Sequence, residues 1–186
     1  MSTGTRLLSA LIDLVRPRSR ARTAHDRQGG RTGIPNAVDG HASPGRSGAT
    51  ATVQIAPPPP DGLHITYAPD RDGDPDAGEV VWTWVPYVEN DGRGKDRPVL
   101  VIGQHTVDRV YAVRLTSTAR DGDRDFLAIG PGPWDSQGRP SWVDTEQLYS
   151  VHADGMRREA ADLDVDRFAR VAQALQRRYG WRVSAD

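Results

Sequence analysis

GEVVWTWVPYVENDGRGKDRPVLVIG, residues 78–103, holds two apolar runs separated by a polar, Gly-rich stretch. EVVWTWVP (79–86) is dense in β-branched and aromatic residues and reads as a strand with both faces largely covered. ENDGRGKD (89–96) reads as a loop, and PVLVIG (98–103) reads as a second strand, entered through Arg97 and Pro98. An Arg at the entrance of a buried strand is commonly an edge residue whose stem packs and whose head stays wet. The same placement also suits an anion-binding residue on a rigid mount.

Working outward, RVYAVRLT (109–116) alternates, with Tyr111, Val113 and Leu115 on one side and Arg114 and Thr116 on the other. FLAIG (126–130) and SWVDTEQLYSV (141–151) supply further strands. A closing helix starts at Asp164 as N-cap, carries Phe168, Val171, Ala172 and Leu175 on one face, and stops at Gly180. The expectation is a mainly β, α+β domain over residues 61–186. Strand tryptophans are usually core, so at least one of Trp82 and Trp84 is expected there.

The N-terminal part has a different character. TRLLSALIDLVR places Leu7, Leu8, Leu11, Leu14 and Val15 at helical spacing up to Pro17, so residues 1–22 read as a short basic amphipathic helix. It either docks on a partner or an anionic surface, or packs on its own body. Residues 23–60, rich in Gly, Pro, Ser, Thr and Arg and ending in Pro57–Pro60, read as a disordered linker. Residues 1–50 carry eight Arg against Asp13, Asp26 and Asp39, a net of +5, which leaves the rest at −6. The tail is basic and the body acidic.

Composition narrows the chemistry. The 186 residues include no Cys, which excludes disulfides and thiolate metal sites and suits a cytoplasmic setting. Only Lys95 is Lys among the 24 basic residues. No apolar run approaches the roughly 18 residues a membrane span needs, and no signal peptide is read. DRDGDPDAGE (70–79) has calcium-loop spacing at Asp70, Asp72, Asp74 and Asp76, but Gly73 stands fourth rather than sixth, so it reads as a solvated turn. His105 and His152 have no partner at ligand spacing, and no metal or other cofactor is expected.

The order GEVVWTWVPY, GKDRPVLVIG, VYAVRLTST, PSWVDTEQLYSV, followed by a helix, resembles the PemK/MazF family of toxins from type II toxin-antitoxin pairs. That resemblance covers about residues 78–178. It implies a small SH3-like β-barrel with a C-terminal helix, here preceded by a disordered basic tail. It also implies a homodimer that cuts single-stranded RNA without a metal, leaving a cyclic phosphate and a 5′-hydroxyl, and that a cognate antitoxin restrains. Residue by residue, the family's catalytic Arg falls on Arg97, its Thr on Thr116 and its late-strand acid on Glu146. Arg93, Lys95, Arg114, Ser117 and Gln147 are the expected substrate contacts, and Tyr87 to Asp96 the covering loop.

These residue types suit the reaction. A guanidinium meets two oxygens of a phosphate at once, and a Thr hydroxyl positions by hydrogen bonding, since an alcohol keeps its proton near neutrality. Glu146 is the candidate base, although a carboxylate near a guanidinium is often only its ion-pair partner. The acidic body fits a second reading, a module of the same shape that binds nucleic acid or protein without cutting.

Overall fold

The computed structural model describes residues 43–70, 73–89 and 91–184; the expected helix at 1–22 and the linker up to residue 42 lie outside them. The strands are β1 (Val53–Ile55), β2 (His64–Thr66), β3 (Glu79–Pro86), β4 (Gly94–Thr106), β5 (Arg109–Thr116), β6 (Phe126–Gly130), β7 (Ser141–His152), β8 (Arg157–Asp162) and β9 (Arg182–Ser184), with one helix, α1 (Val165–Tyr179). The fold is mainly β with a C-terminal helix, as expected. β4 begins at Gly94, so the loop expected over 89–96 ends earlier: Gly94, Lys95 and Asp96 are already paired with Pro86, Val85 and Trp84.

Seven strands form one sheet in the order β1-β7-β5-β4-β3-β8, with β6 on the same edge of β7 as β1. No ladder joins β1 to β8 among the described residues, so strand pairing leaves the sheet open rather than closing it into a barrel. β2 and β9 form a separate parallel pair.

Both faces of this sheet are buried, which is why β3 and the middle of β4 read as continuous apolar runs. One face carries Leu100, Val113, Leu115, Val143 and Leu148, packed with Phe168, Val171, Ala172 and Leu175 of α1. The other carries Val81, Val85, Val99, Val101, Ala112 and Tyr149. The helix is bounded as its caps predict. Asp164 accepts the N–H of Arg167 at 3.0 Å, and Gly180 ends it in a left-handed conformation (φ 75°). Neither Trp82 nor Trp84 is in either core cluster; both are half-buried, whereas Trp134 and Trp181 belong to the core cluster and Trp142 is buried as well.

Residues 43–60 depart from the linker reading, because the first of them are built into the sheet. β1 pairs with β7, and the Trp84 N–H of β3 donates to Pro44 O at 3.0 Å, so one segment is bonded to both β7 and β3. Thr83 donates to Gly155 O at 2.7 Å, which leaves Thr52 as donor in the 2.6 Å Thr52–Thr83 hydroxyl bond. Arg109 donates to Ala49 O (3.1 Å), Ala51 O (2.5 Å) and Ser150 O (3.0 Å). At the sheet's far end, Glu79, 5% exposed, is held by Arg158 of β8 through two hydrogen bonds, of 3.0 and 2.5 Å. Burial pushes the Glu79 carboxyl up, against the downward pull of Arg158.

Two outcomes follow for unfolding measured by urea titration. Gly45 has φ 79°, and a Cβ there would collide with Thr83 and the Gly155 carbonyl, so Gly45→Ala costs about 3 kcal/mol. Gly48, at φ 76° with open space around it, costs only about 1 kcal/mol on the same change. Equal effects would contradict the packing of this segment. Arg158→Met leaves the Glu79 carboxylate buried without its partner and costs about 3 kcal/mol at pH 7. Because the folded-state pKa is raised, the group favours folding when protonated, so the loss shrinks towards pH 4.5; a pH-independent loss would refute the assignment.

Candidate active site

The β4–β5 ladder runs from the Thr106↔Arg109 rung to Val99↔Arg114 and forms no rung beyond it. Kept in step, the next residues on that face would bring Arg97 opposite Thr116. On their outer sides the two remain paired, Arg97 with Thr83 of β3 and Thr116 with Trp142 of β7. Pro98 lacks an N–H and withholds one ladder donor just where pairing stops.

In this gap lies a cavity of about 140 Å³. Lys95, Asp96, Arg97 and Pro98 all line it, as do Thr116 and Ser117. A cavity on one face of a paired strand would meet every second residue. Four consecutive residues reach this one because the β4 edge towards β5 is unpaired there.

Sequence candidates therefore divide. Arg97, Thr116, Lys95 and Ser117 meet at the cavity. Arg114 stands one rung behind, its Nε donating to Asp144 Oδ2 at 2.7 Å. Asp144 is 1% exposed, and its Oδ1 accepts the N–H groups of Glu146 (2.9 Å) and Gln147 (3.2 Å). Residues 144–147 form a bulge between the Val113↔Leu148 and Leu115↔Val143 rungs, which makes Asp144 the acid beside Arg114. Glu146 does not line the cavity; its carboxylate is exposed, 3.8 Å from Arg178 of α1. Gln147 accepts the Tyr149 hydroxyl proton at 2.7 Å, and Arg93 pairs with Asp91 out in the loop. Of the expected covering loop, 94–96 are strand.

Electrostatics mark Arg97 apart. Burial, and then the nearby Arg114, pull its guanidinium below the usual range, while Tyr149 is pushed up to about 12, chiefly by burial. Among the described residues no carboxylate lies within ion-pair distance of Arg97. The buried side-chain atoms without a hydrogen-bond partner among the described residues are Trp82 Nε1, Asp96 Oδ1, Arg97 Nε and Trp142 Nε1. The first three belong to residues lining the cavity, and the fourth belongs to Trp142, the ladder partner of Thr116. Buried polar groups are normally satisfied, so this clustering marks the place where a polar ligand would complete them.

Sequence reasoning missed Asp96 and the loop residues Asp135 and Arg139, which also line the cavity and pair at 2.9 Å. Asp96 was read as the last residue of the covering loop, whereas it stands in β4 next to Arg97. No group of three or more His, Asp or Glu side chains suited to a metal occurs among the described residues.

No curated protein matches the chain. Among solved structures, MazF from Deinococcus radiodurans (form I) is 24% identical, with a TM-score of 0.44 over 57% of this chain and 96% of that one. A mycobacterial endoribonuclease in complex with its cognate antitoxin is 22% identical, with a TM-score of 0.44 and the same coverage. Mycobacterium tuberculosis toxin MazF-mt6 is 16% identical, with a TM-score of 0.42 over 55% of this chain and 97% of that one. The model of one toxin family matches residues 76–178, more than half of the 186, and the chain belongs to that family, the PemK-like, MazF-like toxins of type II toxin-antitoxin systems.

Proposed function

We propose that this toxin is an endoribonuclease that cleaves single-stranded RNA by attack of a ribose 2′-oxygen on the adjacent phosphorus. The observation that carries the reading is the set of unpartnered buried donors beside Arg97 and Thr116. The O2′–P bond forms and the P–O5′ bond breaks, giving a 2′,3′-cyclic phosphate and a 5′-hydroxyl with no metal required. Negative charge grows on the equatorial oxygens, and the Arg97 fork meets two of them. Thr116 and Ser117 position the phosphate by hydrogen bonds, while Lys95 and Arg114 add positive potential on an otherwise acidic body. Glu146, facing Arg178, is given no proton to carry. The protein acts as a homodimer under the control of a cognate antitoxin.

The acidic body supports a second reading, a binding module without cleavage. Single-turnover cleavage of a mixed-sequence RNA in EDTA separates the two. On the nuclease reading, Arg97→Ala slows cleavage about 10²–10³-fold, the loss typical of a transition-state donor. Thr116→Val slows it about 10-fold, in keeping with one lost hydrogen bond of roughly 1–2 kcal/mol. Intact RNA with wild-type protein, or rates unchanged in both variants, leaves the binding module standing. As a phosphate contact, Arg97 removed by the Ala substitution also lowers the salt dependence of RNA affinity by about one unit of slope, and an unchanged slope contradicts that contact.

A further inference from the structure

Of the unpartnered atoms on residues that line the cavity, Trp82 Nε1 and Arg97 Nε are donors and Asp96 Oδ1 is an acceptor. A bare phosphate would use the donors but repel the carboxylate. A phosphate with an adjacent hydroxyl uses all three, because its oxygens accept and its hydroxyl donates. Resting on the nuclease reading above, we infer that Asp96 is the group that takes the proton from the attacking 2′-hydroxyl.

The carboxylate is held for that task. Arg157 Nη2, reaching across β3 from β8, donates to Asp96 Oδ2 at 2.7 Å, and the same guanidinium lies 5.9 Å from the centre of the Trp82 ring. Glu159 Oε1 stands 3.8 Å from Arg157 Nε on the far side. One carboxylate oxygen is thus anchored and the other is buried with no donor, the arrangement of a fixed base. The other charged groups around the cavity are Lys95, Arg97, Asp135 and Arg139.

In the step, the 2′-oxygen gives its proton to Asp96 Oδ1 as the O2′–P bond forms. The P–O5′ bond breaks, and the departing 5′-oxygen takes a proton from water. Asp96 then returns its proton to solvent, so no co-reactant is consumed.

The test uses the full chain in EDTA with a mixed-sequence RNA, at single turnover across pH, beside binding of the same RNA carrying 2′-deoxy sugars. Asp96→Asn keeps the shape and an oxygen for Arg157. It is expected to slow cleavage about 10²–10³-fold, as for a lost general base, and to abolish the rising acid limb of the rate profile. Affinity for the deoxy analogue stays within about threefold. Arg157→Met, which frees the carboxylate but keeps it, slows cleavage by no more than about tenfold and retains the limb. Asp96→Asn within threefold of wild type, a retained acid limb, or an Arg157→Met variant as slow as Asp96→Asn would each overturn the assignment. RNA left whole by the wild type overturns the nuclease reading itself, and Asp96's role with it; an active wild type with an unaffected Asp96→Asn overturns only the latter.

Discussion

Removing water from both faces of one sheet is the constraint on which the rest of this molecule depends. Its central strands are short of polar side chains on either side, so each face needs a cover or the exposed apolar area would cost about 25 cal/mol per Å². Helix α1 covers the first face with an apolar stripe built from its own periodicity. Around the second face, residues 43–55 are bonded to both β7 and β3 through backbone groups, Thr hydroxyls and the Arg109 guanidinium. A double-sided sheet of this kind is stiff, and stiffness is what a binding or catalytic site needs from its mount.

The site lies where that pairing lapses. Beyond the Val99↔Arg114 rung the two strands no longer share hydrogen bonds, and the gap exposes a strand edge that a paired sheet would conceal. Arg97 and Thr116 flank it while each remains pinned by its outer neighbour. Rigid walls around an unpaired edge let adjacent residues of one strand, which normally face apart, act on a single group.

How much of this was legible depends on the kind of signal. β5 and α1 announce themselves, because Tyr111, Val113 and Leu115 alternate and Phe168, Val171, Ala172 and Leu175 follow the helical period. β1, β2 and β9 are three residues each, too short for any period, and RREAAD in β8 is a polar strand beside β3. The 43–55 segment hides for another reason: much of its contribution is made by carbonyls, and backbone groups leave no mark on composition. Arg97 and Thr116 were visible through family order. Asp96 was not, since only the loss of a rung brings it to the cavity. Glu146 stood on the right strand, but a bulge that alternation cannot foresee puts Asp144 beside Arg114 instead.

One residue at the cavity has a use outside any mechanism. Lys95 carries the sole ε-amine of the 186 residues, all other side-chain cations of the chain being guanidinium or imidazole. Reagents that acylate amines therefore find one side-chain target in this protein, and it lies at the gap between β4 and β5. A fluorophore or cross-linker attached there reports on that gap alone, with no residue engineered in and none removed.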